Sequence, residues 1–223
     1  MSKAELTPLQ TRVLETLSGI EPRFVLTGGA ALVAVHLKHR TTRDLDLFWR
    51  DRALLGTLIT AVRARLESLG LEVTDLEASP SFHRLRAFDG TEACVIDLVA
   101  DPAPTLEEPE PAPIGRVTIL IDTPREILAN KLCTLLSRSE LRDLQDVKAL
   151  LEAGGDWDRA LRDAPEKDGG FSPLTLAWVL RSLDERALAE AAGWSALETR
   201  GLSEFKAELV DRLVSASEPS RDS

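Results

Sequence analysis

The sequence predicts an α+β protein, a mixed sheet with helices followed by a mainly helical C-terminal part. Two observations carry that prediction. Apolar runs of strand length, Phe24 to Leu26 and Ala93 to Val99, flank the alternating segment Asp44-Leu45-Asp46-Leu47-Phe48, with helical stretches between them. Beyond Thr123 the apolar residues recur with helical spacing instead.

Taken in order, Thr7-Pro8-Leu9-Gln10 supplies an N-cap, a proline at the first helical position and a capping-box glutamine, predicting a helix to Gly19. Val25 and Leu26 end a buried strand, Thr27-Gly28-Gly29 forms the joint, and Ala30 to Val35 begins a buried helix. The acidic strand follows at residues 44–49. Asp51 is then positioned to cap a long helix reaching Leu69 and ended by Gly70. Leu71 to Leu76 and a hairpin, Ser81 to Phe88 and Ala93 to Val99 about a turn at Asp89-Gly90, complete the sheet. Five prolines between Asp101 and Gly115 predict an extended surface connection. Val117 to Ile121 reads as one more strand. Thr123-Pro124-Arg125-Glu126 is a second capping box, opening the helix that carries Lys131. In the next helix Leu144, Val147 and Leu151 form a core stripe, Asp143 and Asp146 share an adjoining face, and Gly154-Gly155 stops it. Ser172-Pro173 restarts a helix through Leu188, with Leu174, Trp178 and Leu183 available for packing. Leu202 to Val214 supplies the last helix, and Ser215 to Ser223 is expected to be a mobile end.

Chemistry concentrates on the acidic strand. Alternation sends Asp44, Asp46 and Phe48 to one face and Leu45, Leu47 and Trp49 to the other, so two carboxylates converge. Like charges so placed repel unless a cation lies between them, and magnesium, which prefers carboxylates plus phosphate oxygens, is the natural one. A solvated acidic strand edge is the competing explanation. The Gly28-Gly29 joint admits two readings as well: a tight turn with close helix packing, or a cradle where phosphate meets backbone N–H groups and the helix dipole. Asp97 interrupts an apolar run, and the hairpin returns it beside the first acidic strand, as a metal ligand, a general base or a partner of an arginine. Arg40 stands close enough to the acids to pair with Asp46 or with phosphate. Lys131 must either snorkel to solvent or meet an anion.

The residues Gly28-Gly29, Leu32 and Arg40-Thr41-Thr42-Arg43-Asp44-Leu45-Asp46-Leu47-Phe48 together resemble the nucleotidyltransferase signature of the AbiEii abortive-infection toxin family. The resemblance spans roughly residues 20–152, with Lys131, Asp143 and Asp146 matching the family's later lysine and aspartates by order and context. It implies a polymerase-beta-like nucleotidyltransferase fold, with residues 1–122 as the catalytic domain, 123–217 as a helical domain and 218–223 as a disordered tail. It implies transfer of a nucleoside monophosphate from a nucleoside triphosphate to an acceptor hydroxyl. Asp44, Asp46 and Asp97 would bind magnesium in a two-ion site, and Gly28, Gly29, Ala30 and Arg40 would hold phosphates. Lys131 would offset the triphosphate charge, and Asp143 or Asp146 would act as base or as an anchor for Lys131. Many relatives carry Ser or Thr after the second glycine, where this chain has Ala30. A prokaryotic toxin–antitoxin setting, with RNA or tRNA acceptor ends and a separate antitoxin chain, follows by analogy. Nucleotide addition to an antibiotic and a non-catalytic nucleotide-binding module are the alternatives.

At 223 residues, 43% apolar and 29% charged, the chain can bury one good core or two small ones. No apolar run approaches the ~20 residues that span a bilayer, so a cytoplasmic location is expected. Cys94 and Cys133, the only two cysteines, give no support for a disulfide framework or zinc site. A net charge of −10 argues against a general nucleic-acid coat. Locally the balance reverses, since Lys38, Arg40, Arg43, Arg50, Arg52, Arg63 and Arg65 face only Asp44, Asp46 and Asp51 between residues 38 and 65.

Overall fold

A computed structural model describes residues 5–138 and 140–217; the tail expected at 218–223 lies outside them. The chain divides into two compact units, the first ending at Ile127 and the second beginning at Leu128.

In the first unit, α1 (Pro8–Leu17) carries the capping box written in its sequence: Gln10 N donates to Thr7 Oγ1 at 3.1 Å and Thr7 N to Gln10 Oε1 at 2.8 Å. The strand β1 (Val25–Thr27) turns at Gly28 into α2 (Gly28–Ala31), which widens into one π-helical turn over Leu32–His36. Next, β2 (Asp44–Arg50) buries Leu45, Leu47 and Trp49 and leaves Asp44, Asp46, Phe48 and Arg50 half-buried, the predicted two-sided strand. Trp49 is anchored by its indole N–H on Pro22 O at 2.8 Å and meets Phe24 edge-on at 5.9 Å.

The helix expected from Asp51 begins later. Asp51 itself takes a left-handed φ of 56°, which aspartate tolerates, and Gly56 repeats it at 56°, so α3 covers only Leu58–Ser68. Gly70, at φ 76°, follows its end as predicted. The strands β3 (Glu72–Ala78), β4 (Phe82–Phe88) and β5 (Ala93–Asp101) then form an antiparallel meander. At the β4–β5 turn, Asp89 Oδ1 accepts from the backbone N–H groups of Thr91 and Glu92.

The proline-rich connection is in part a strand. Residues Glu110–Ile114 form β6, antiparallel to β7 (Val117–Ile121), with Ala112 and Ile114 buried and Pro111 and Pro113 exposed. Its prolines share one alternation at the sheet edge, where a missing N–H can face away from the neighbouring strand. The sheet order is β3-β4-β5-β2-β1-β7-β6, with β2–β5 and β1–β7 parallel. Helices α1 and α3 pack on each other and meet β5 and β3 respectively. After β7, α4 (Pro124–Ser137) opens with Glu126 N donating to Thr123 Oγ1 at 3.3 Å.

In the second unit, α5 (Leu141–Glu152) buries Leu144, Val147 and Leu150; Leu151 is only half-buried, one position round the helix from the true stripe. An additional helix, α6 (Trp157–Lys167), starts at an Asp156 cap. The single helix expected from Ser172 to Leu188 is two, α7 (Pro173–Ser182) and α8 (Glu185–Ala191), because Asp184 restarts the chain by capping Ala187 N at 3.0 Å. Leu176, Ala177 and Leu180 are the buried residues of α7, whereas Leu174 and Trp178 are exposed. Finally α9 (Ala196–Ala216) starts before Leu202, at a Ser195/Glu198 capping box, and includes residues 215–216 that were expected to be mobile. No helix among the described residues is long and apolar enough to cross a membrane.

Candidate active site

The acidic face of β2 is assembled by backbone register. β1 runs antiparallel to β2 with Thr27 opposite Asp46, so the glycine joint emerges at the level of that carboxylate. Gly28 adopts φ 61°, and a Cβ built there would lie 2.2 Å from Asp46 Oδ2. A Cβ on Gly29 would lie 2.5 Å from Arg40 Nη2. Glycine is thus required twice, once for a left-handed backbone and twice for close approach of a charged group. Arg40 also donates from Nη1 to Thr41 O at 2.9 Å. Ala30 has no exposed surface and Gly29 is buried, while Gly28 is half-buried. Ala30 therefore belongs to the core.

On the other side of β2, β5 runs parallel with Asp97 beside Asp46, which puts both on the same face of the sheet. Asp97 is 5% exposed. Its two oxygens are taken by Arg84 of β4, which stands directly opposite in the hairpin: Nε donates to Oδ1 at 2.7 Å and Nη2 to Oδ2 at 2.6 Å. Hydrogen bonding to Asp97, backed by the Asp44 and Glu77 charges, holds the Arg84 guanidinium above the ordinary arginine range. The guanidinium also lies over the Phe82 ring at 5.5 Å.

Asp44, Asp46 and Asp97 thus share one face of the sheet, with Asp97 held by Arg84. Among the described residues no group of three or more His, Cys, Asp or Glu side chains is arranged to hold a metal ion. Asp44 and Asp46 nevertheless suit magnesium, which keeps water and phosphate oxygens and needs only one or two protein carboxylates.

Past Phe48 on the same strand face, Arg50 is 8% exposed in its side chain and pairs with Asp101, with Asp122 at 2.5 Å and with Glu126 at 3.5 Å. Burial alone would lower the Arg50 pKa; Asp122 and Asp101 more than reverse that. The cluster ties the ends of β2, β5 and β7 to the start of α4, and Asp122 O accepts from His36 Nε2 at 2.9 Å. Sequence reasoning missed it, since its members are far apart in the chain and each reads as surface charge.

Within the second unit Lys131 is 7% exposed and does meet anions: Asp143 at 2.6 Å and Asp146 at 2.8 Å. Asp143 also accepts from Arg138 Nε at 2.9 Å. Asp143 and Asp146 are 1% and 0% exposed. Burial would lower the Lys131 pKa, but the charges of Asp146 and Asp143 hold it above the ordinary lysine range. Of the roles open to these aspartates, the geometry favours the anchor: both Asp143 oxygens are engaged and neither carboxylate reaches solvent. Burial raises the Cys94 thiol to about 12 and the Cys133 thiol to about 11, so neither is readily ionised; Cys94 lies in the core and Cys133 is half-buried.

The family model described as "Nucleotidyl transferase AbiEii toxin, Type IV TA system" matches residues 12–216. Among solved structures the chain is similar to MenT4, a nucleotidyltransferase toxin from Mycobacterium tuberculosis, with a TM-score of 0.65 at 18% identity, covering 96% of this chain and 83% of that one. It is also similar to the antibiotic-resistance factor ANT(2'')-Ia, with a TM-score of 0.51 at 15% identity over 71% of this chain and 91% of that one. Both likenesses establish the fold. None of the curated proteins matches the sequence.

Proposed function

The chain belongs to the AbiEii nucleotidyltransferase toxin family, and on that premise we propose that it transfers a nucleoside monophosphate from a nucleoside triphosphate to an acceptor hydroxyl on RNA, tRNA ends in particular, as the toxin of a toxin–antitoxin pair. The observation that carries the reading is the adjacency of two half-buried carboxylates on one strand face, Asp44 and Asp46, to the left-handed Gly28. Magnesium bound there would neutralise the triphosphate and stabilise charge on the transferring phosphoryl group.

The chain's own residues do the rest. Gly28 leaves its backbone open where a side chain would collide with Asp46, so a phosphate can approach the carboxylates closely. Arg40, held against Gly29, supplies positive charge on the neighbouring side of the turn. Lys131, Asp143 and Asp146 serve as a structural anchor of the helical unit in this reading.

The test is incubation with labelled nucleoside triphosphates, magnesium and total RNA, comparing the wild type with Asp44→Ala and Asp46→Ala. Label reaching RNA only with the wild type supports the reading. Equal labelling by all three proteins removes this site from the reaction. Label reaching an added aminoglycoside but not RNA would move the assignment to small-molecule transfer. A small DNA-binding protein encoded by the adjacent gene, and suppression of toxicity when it is co-expressed, would test the antitoxin pairing.

A further inference from the structure

The face of the sheet that carries the carboxylates continues onto β4. There Phe82, Arg84, Arg86 and Phe88 alternate with the buried His83, Leu85 and Ala87, so all four are half-buried on one side, the side of Asp97. Register sets them in rows across β2, β5 and β4. Asp44 lies beside Val95, which stands opposite Arg86; Asp46 lies beside Asp97, opposite Arg84; Phe48 lies beside Val99, opposite Phe82. Two strand spacings, about 10 Å, thus separate each β2 position from its β4 counterpart, within reach of the last nucleotides of an acceptor strand.

The arginines and phenylalanines of β4 are stacked in pairs. The Arg84 guanidinium lies 5.5 Å from the Phe82 ring centroid, and that of Arg86 lies 4.8 Å from the Phe88 centroid. Rings and guanidinium planes are surfaces on which an unstacked base lies flat, whatever its identity. Charge separates the two arginines. Arg84 is bonded by Asp97 and faces Glu77, whereas Arg86 stands between Thr74 and Val95, neither of them charged; Glu72 stands opposite Phe88. Arg86 is therefore the cation of β4 that suits a phosphate.

We propose that β4 is an acceptor platform: Phe82 and Phe88, with their stacked arginines, receive bases of an unpaired RNA end and Arg86 a phosphate of the same strand, bringing its terminal hydroxyl toward Asp44 and Asp46. A duplex keeps its bases stacked on one another and gains little from such a surface. A polycationic aminoglycoside would meet Arg86 as a like charge. The inference rests on the nucleotidyl-transfer reading and deepens it, naming the surface that selects a single strand.

Fluorescence anisotropy of the full chain with a short labelled RNA, single-stranded or as a blunt duplex, tests it together with the RNA KM of the transfer assay. The wild type should bind the single strand about tenfold or more tighter than the duplex. Phe82→Leu and Phe88→Leu should each weaken single-strand binding and raise the RNA KM about tenfold, with the triphosphate Kd within about twofold of wild type. Arg86→Gln should weaken binding and remove about one phosphate contact from its salt dependence, which Arg86→Lys should keep. Circular dichroism identifies any variant that fails to fold; if a phenylalanine variant is one, the two Arg86 variants decide. RNA labelling by the wild type, with single-strand Kd and RNA KM unmoved in Phe82→Leu and Arg86→Gln, overturns the inference and leaves the transferase reading standing. Equal affinity for duplex and single strand does the same. A wild-type dimer that Arg86→Gln dissociates would give this face to a second copy of the chain and overturn the inference, as would transfer to an aminoglycoside that Phe82→Leu abolishes. A wild type that neither binds RNA nor labels any acceptor overturns both.

Discussion

Two clusters of aspartate and cation, one in each unit, use the same chemistry to opposite ends. On β2 the carboxylates of Asp44 and Asp46 are half-buried, and the paired Asp97 lies alongside them. Around Lys131 the ammonium and both carboxylates are buried, at 7%, 1% and 0% exposure. In the first cluster Asp44 and Asp46 stay within reach of solvent. The second is closed on itself and ties α4 to α5. Solvent access, more than residue type, separates a candidate reaction site from a structural anchor, because a buried charge must be matched within the fold while an accessible one is also solvated.

The contrast can be broken by mutation. The largest expected effect is on rate: Asp46→Ala should lower nucleotidyl transfer on the order of 10³-fold, or about 4 kcal/mol, while leaving the melting temperature nearly unchanged. A variant that melts early and keeps its rate would reverse the assignment. Lys131→Met should do the opposite kind of damage, removing the buried ammonium that both Asp143 and Asp146 bond, at a cost of about 3–5 kcal/mol in stability, read by chemical denaturation. Loss of less than about 1 kcal/mol would show that the triad is not an anchor.

Gly28→Ala sharpens the comparison from the side of the glycine turn. The added methyl meets Asp46 Oδ2 and the backbone is left-handed, so about 1–3 kcal/mol of stability should be lost, together with triphosphate affinity. An unchanged triphosphate Kd in calorimetry would detach Gly28 from phosphate binding. The smallest effect is a pH dependence. Lys131 has its pKa raised in the folded state, so its stabilisation is complete below the unfolded value of about 10.4 and fades as pH rises through the folded one. Melting curves from about pH 8 to 11 should therefore show an alkaline loss in the wild type that Lys131→Met largely lacks. Identical alkaline losses in both would assign the titration to other groups.

Much of the site was legible because its geometry is local. Asp44 and Asp46 follow from strand alternation, and Asp97 from the Asp89-Gly90 turn that folds β5 back along β4. The same turn held the information for Arg84: with Phe88 opposite Ala93, counting outward along both strands brings Arg84 opposite Asp97. The Arg50 cluster was illegible, since it joins residues from β2, β5, the end of β7 and α4 that only the folded sheet brings together. Two errors of the fold came from reading residue type without position. Asp51 was taken as a cap although aspartate also suits the left-handed turn it adopts, and the prolines of residues 109–113 hid a strand at the sheet edge. In the second unit the caps Ser195 and Asp184 outweighed the apolar pattern in deciding where helices begin.

Those prolines have a further consequence. A sheet with two open margins invites other chains to zip onto it, and the margin formed by β6 lacks amide hydrogens at Pro111 and Pro113, where an incoming strand would seek them. The far margin, β3, is blunted differently, by an irregular register between Asp75 and Glu77 and by the acids Glu72, Asp75 and Glu77. Each flank of the sheet thus discourages intermolecular strand addition, which would help newly made chains stay dispersed at high local concentration.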